Sequence, residues 1–234
     1  MSLTDIAAGA LFIACWLVYE PLLERLTGGR GAINIDLRAV REGWLRRLIA
    51  RENRMLDASL LGHLTNSASF FASTNLLVIA AAAGLLFGGE AVLENLRAIS
   101  LRGLEPNWLI QTKIALVLVT LTRGLLDFIW AIRQLNFCAA LFGAAPERSD
   151  IEHHESYVRA VAQVLSPAFN SFNKGVRAYY FALAAAIWLA SPWAMAAAIA
   201  ATLALLLRRQ VSSEAAIGLR EARLVLEAMQ RRED

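Results

Sequence analysis

Residues Ile110–Leu141 read IQTKIALVLVTLTRGLLDFIWAIRQLNFCAAL, an apolar stretch long enough to cross a bilayer as a helix. It nevertheless carries Thr120, Arg123, Asp127, Arg133, Gln134 and Asn136. Positions 113, 120, 127 and 134 recur every seven residues, and Arg123 precedes Asp127 by four, so on a helix these groups crowd toward one side. Charges and amides at membrane depth are costly unless paired or wetted, which rules out lipid as the neighbour of that side. The stretch is expected to face protein or water inside a bundle.

The rest of the chain follows the same logic. It is 57% hydrophobic and 18% charged, and the apolar residues fall in runs of span length. The expected fold is all-α: a polytopic membrane bundle of about four transmembrane helices plus amphipathic cytoplasmic helices. The spans are placed at Leu3–Leu23, Asn66–Phe87, Ile110–Leu141 and Tyr179–Leu207, with Ser191-Pro192 kinking the last. Residues 1–207 form the membrane domain, and 208–234 form a charged helical tail with apolar positions Leu219, Leu224, Leu226 and Met229.

Between the first two spans, Thr27–Gly31 reads as a turn, and 35–61 reads as one basic amphipathic helix lying at the membrane surface or extending the next span. Its Arg38, Arg41, Arg46, Arg47, Arg51 and Arg54 suit anionic lipid headgroups rather than nucleic acid. The eight arginines of this connection favour the cytoplasm. With four crossings both termini would then lie outside, in conflict with Arg208, Arg209 and the basic tail. A short surface helix is expected over Glu90–Ile99, Lys113 is expected to snorkel from the outer end, and Pro167 is expected to interrupt the helix before the last span.

Two sets of polar residues are candidates for function. The first is a seam or pore lining of Thr120, Arg123, Asp127 and Gln134, joined by Asn66, Ser69 and Ser73 at helical spacing on the second span. The second is a set of headgroup or anion contacts, Arg133, Asn136, Lys174 and Arg177, the last two beside Tyr179 and Tyr180 at a span entrance. No template of hydrolase, metalloprotease, nucleotide or dinucleotide site is present, and no cofactor is expected. Adjacent His153 and His154 point to different sides of a helix and do not chelate readily, so no metal is expected. Cys15 and Cys138 lie in apolar runs and read as buried hydrophobes.

Three strings together resemble the DUF599 family of small multi-span membrane proteins: NRMLDASLLGHLTNSASFFASTNLLVI at Asn53–Ile79, IWAIRQLNF at Ile129–Phe137, and FNKGVRAYYF at Phe172–Phe181. The resemblance covers about Leu3–Leu207. It implies that the polar residues around 69–75, 133–136 and 173–180 share one site or packing core, and it implies no catalytic role.

The functional expectation is an oligomeric channel or transporter for a small ion or solute, leaning toward anions because of the arginine excess. The alternative is a structural, lipid-binding or regulatory membrane protein, with Arg123 and Asp127 as a packing pair. Expected partners are anionic membrane lipids, further copies of the chain, and a protein docking on the tail. The expected location is the bacterial inner membrane, with several passes.

Overall fold

The computed structural model describes residues 2–26, 33–97, 105–211 and 213–231, without the side chains of residues 20–26, 34 and 211. The described chain is all helix: α1 (Leu3–Leu26), α2 (Ile33–Ala50), α3 (Met55–Phe87), α4 (Gly89–Arg97), α5 (Asn107–Gly143), α6 (Ile151–Ile187), α7 (Pro192–Val211) and α8 (Glu214–Gln230). The Thr27–Gly31 turn lies outside the described residues.

Among the described residues, three helical stretches are long and apolar enough to cross a membrane: α3, α5 and the one beginning at Pro192. The expected count of four is therefore reduced to three clear spans. A further apolar helical stretch, Leu3–Tyr19, lies within α1. The expected last span is two helices, because Ser191 and Pro192 start a helix rather than bend one. Ser191 Oγ accepts the backbone N–H groups of Trp193 at 3.2 Å and Ala194 at 3.4 Å. Serine at the N-cap and proline at the first helical position are the usual start of a helix. Pro167 sits inside a continuous α6 instead of ending it.

The chain divides into two compact units. The first comprises Met1–Leu23, Phe71–Asp127 and Lys174–Leu207. Its core joins Phe12 of α1, Phe181 and Ala185 of α6, and Met195 and Ile199 of α7, with the Phe12 and Phe181 rings edge to face at 6.0 Å. Here α6 and α7 are joined by the short turn around Trp188–Ser191 and share one core, so they form an antiparallel pair. Lys113 does not snorkel. It is fully buried, its Nζ lies 2.6 Å from Glu105 Oε2, and it stands over the Trp188 ring at 5.8 Å. The Trp188 indole N–H donates to Asp5 Oδ1 at 3.2 Å. These contacts tie the starts of α1 and α5 to the α6–α7 turn.

The second unit comprises Glu24–Phe70, Phe128–Asn173 and Arg208–Asp234. The region expected as one surface helix over 35–61 is α2, a break at 51–54 and the first turns of α3. Asn53 Oδ1 accepts the Met55 N–H at 2.9 Å at that break, a local turn that competes with helix. α2 is internal, burying Asp36, Arg41, Leu45, Leu48 and Ile49. Of the six arginines over 38–54, Arg38 and Arg47 are exposed and the other four face protein. Arg46 forks onto Glu155 at 2.7 and 3.2 Å, and Arg51 meets the buried Asp57 at 2.5 Å. Arg54 donates to the carbonyls of Ala145 and Pro146 just past the end of α5. Arg41 donates to the Leu37 and Ser166 carbonyls and lies over the Phe169 ring. Burial, with the charge of Arg38 adding and that of Glu42 opposing, lowers its pKa to about 10.

The tail helix α8 packs on α2. Arg223 Nε reaches Asp36 Oδ1 at 3.0 Å, and Leu226 lies against Gly43. Ile217, Leu224, Val225 and Met229 remain exposed on α8.

Candidate functional site

The first unit contains a cavity of about 410 Å³ lined by Trp16, Leu17 and Tyr19 of α1, Arg123 and Asp127 of α5, and Lys174, Arg177, Ala178 and Phe181 of α6. Its geometry follows from close helix packing. Gly124 of α5 faces Ala178 of α6 so closely that a Cβ on the glycine would lie 2.6 Å from the alanine Cβ. That same point meets α3, where Asn75, buried, donates its amide to the Leu121 carbonyl at 2.8 Å. The Tyr179 hydroxyl donates to the Phe71 carbonyl of α3 at 2.8 Å. The residues next to the contact, Arg123 and Arg177, are thereby carried into the cavity from two helices.

The charges there are arranged unevenly. Arg123 Nε stands 3.4 Å from Asp127 Oδ2, with the arginine 59% exposed and the carboxylate 15%. Arg177 lies over the Tyr19 ring, 5.5 Å from its centre. Among the described residues the cavity's charged lining is thus three cationic side chains, Arg123, Lys174 and Arg177, against the carboxylate of Asp127. Guanidinium and ammonium groups beside aromatic walls suit a phosphate or carboxylate attached to an apolar or aromatic body.

Four of the residues singled out from the sequence therefore meet here, two from each candidate set. The others lie elsewhere. Thr120 is buried and its hydroxyl donates to the Leu116 carbonyl of its own helix at 2.8 Å. Gln134 is buried in the second unit and accepts the Ser171 hydroxyl at 3.4 Å. Arg133 is exposed and lies over the Phe137 ring one turn on, and Asn136 is exposed. On α3, Asn66 and Ser73 face outward and Ser69 is half-buried. The aromatic wall of Trp16, Tyr19 and Phe181 was not singled out from the sequence. The one available signal was tryptophan and tyrosine near the end of the first apolar run.

The second unit has a larger groove of about 710 Å³, where Asn66 and Asp57 lie with Leu48, Met55, Leu61 and Phe142. There Asp57 Oδ1 accepts from the Trp44 indole at 2.7 Å and from Arg51, Arg54 is bound to carbonyls, and the exposed Glu52 lies 3.6 Å from Arg148. Among the described residues no group of three or more His, Cys, Asp or Glu side chains is placed to hold a metal.

Apolar helices of span length and a charged cavity within the helical bundle define a membrane-associated all-α protein of the multi-pass kind. The chain belongs to the DUF599 family, described as a protein of unknown function, whose profile matches residues 7–215. No curated protein and no solved structure matches it.

Proposed function

We propose that this protein binds a small anionic group, a phosphate or carboxylate, in the α1–α5–α6 cavity and carries an anionic solute across the membrane. The observation that carries the reading is the convergence of Arg123, Lys174 and Arg177 on one aromatic-walled cavity of about 410 Å³. A volume of that size suits a small organic ligand. A lipid headgroup held for structural or regulatory purposes is the second reading, favoured by Trp16 and Tyr19, which are the residue types that sit at headgroup level.

The crossing pattern in this reading is five: α1, α3, α5, the end of α6, and α7. Segments 24–70, 128–173 and 208–234 then share the cytoplasmic side and hold eight, three and six of the 23 basic residues. The opposite connection at 88–106 holds Arg97 and Arg102. This asymmetry follows the positive-inside rule and removes the conflict over the tail, which five crossings put on the basic side. Self-association of copies would use the outward polar side of α3, where His63, Asn66, Ser67 and Ser73 are exposed.

The test is flux of phosphate and of short carboxylates into proteoliposomes, comparing the unaltered protein with Arg177→Gln. Uptake above empty vesicles that falls at least tenfold in the variant supports transport through this cavity. No uptake, with saturable binding of anionic lipid that still needs Arg177, favours the headgroup reading. In a cysteine-free background, Ser191→Cys should react with an impermeant maleimide from the side opposite the tail. Labelling from the tail's side would contradict five crossings.

A further inference from the structure

Asp127 puts a carboxylate into a cavity whose other described charges are cationic. In a site for a plain anion that carboxylate would repel the ligand at short range. We propose that the ligand is a zwitterion, carrying an ammonium as well as a phosphate or carboxylate. Asp127 takes the ammonium, while Arg177 and Lys174, with Arg123, take the anion. This inference rests on the anion-binding reading above and names the class of ligand for the same site.

The geometry allows both ends to be held. Arg123 and Asp127 are one turn apart on α5, and Lys174 and Arg177 are three residues apart on α6, so the cavity presents charged groups from two facing helices. The Arg123–Asp127 contact is long at 3.4 Å and its arginine is 59% exposed. With its arginine largely in solvent the contact is weaker than a fully buried pair, so a ligand that offers each partner a better one can part them. The cavity of about 410 Å³ has room for an ammonium and an anion separated by a short carbon chain, with Trp16 and Phe181 against that chain. Aromatic faces also favour an alkylammonium group. The same chemistry occurs in a free amino acid and in the phosphoethanolamine headgroup of a lipid.

The experiment measures binding by the full chain in micelles of a non-ionic maltoside, using matched probes with and without the ammonium. Phosphoethanolamine is compared with ethyl phosphate, and β-alanine with propionate. The expected result is at least tenfold tighter binding of the ammonium-bearing member in one pair. Asp127→Asn should erase that preference while keeping or strengthening binding of ethyl phosphate or propionate. Tighter binding of β-alanine identifies a free amino acid. A response confined to phosphoethanolamine, reproduced when phosphatidylethanolamine is added to the micelles, identifies the lipid. Equal affinity of the unaltered protein within both pairs overturns the zwitterion and leaves the anion site standing. Binding of none of the probes overturns both, and neither result depends on the variant folding.

Discussion

Gly124→Ala should be disruptive well beyond its single methyl group. The new Cβ would stand 2.6 Å from the Ala178 Cβ and 3.4 Å from the Gly175 carbonyl oxygen. Carbon atoms at rest lie about 3.5–4.0 Å apart, so α5 and α6 must part by about 1 Å at this point. Ala178 has no side-chain torsion that could relieve the contact, and the strain therefore passes to the backbone. Overpacking of this kind costs about 1–3 kcal/mol. Arg123 and Arg177 are the immediate neighbours of the two contacting residues, so the same displacement should weaken binding in the cavity. The assay is a double-mutant cycle by equilibrium unfolding in mixed micelles, with Gly124→Ala, Ala178→Gly and the pair. Ala178→Gly removes the clashing methyl, so the pair should recover at least about 1 kcal/mol relative to additive losses. A cycle that closes to within about 0.3 kcal/mol, or a neutral Gly124→Ala, would refute the close packing on which the site geometry depends.

The buried pair gives a second prediction. Glu105→Gln takes the carboxylate partner from the fully enclosed Lys113 and should cost about 3–5 kcal/mol, whereas Glu105→Gln with Lys113→Met should recover most of it in the same unfolding assay. Ser191→Ala removes the cap of α7 and should cost about 1 kcal/mol, read as a drop in melting temperature. Glu155 is held below its ordinary value of 4.5, first by the hydrogen bonds from Arg46, with burial opposing. Its stabilising contribution is present above that ordinary value and is lost as pH falls through the lowered folded value. Because the pair is exposed, this is below about 1 kcal/mol. The stability gap between the unaltered protein and Glu155→Gln should therefore be small at neutral pH and vanish on acid titration.

Much of the architecture is legible in apolar run length. The α3 and α5 spans follow from it directly, because a bilayer imposes a minimum stretch of hydrophobic residues. The α6–α7 break was signalled by Ser191-Pro192, but a cap and a kink use the same two residue types. The difference is decided by which backbone N–H groups the serine oxygen meets. Lys113 was hidden for another reason: its partner Glu105 lies eight residues earlier, outside the span, and only the fold brings the two together. The arginines over 38–54 look like a membrane-binding stripe in sequence, but α6, the start of α3 and the carbonyls just past α5 supply protein partners for four of the six.

The candidate site was legible in its charges and not in its assembly. Arg123 and Asp127 stood out by depth in an apolar run, and Lys174 and Arg177 by position at a helix entrance. The Gly124–Ala178 contact that brings the two pairs to one cavity involves the two smallest residue types, 54 positions apart in sequence. The wall from α1 is equally non-local.

The most direct measurement of the central claim is a crystal of the full chain soaked in selenate, a tetrahedral dianion with a measurable anomalous signal. The account predicts an anomalous peak within hydrogen-bonding distance of Arg177 and Lys174, lost in Arg177→Gln. A cavity without a peak, in crystals that show selenate bound elsewhere on the chain, would contradict the assignment of this cavity as the anion site.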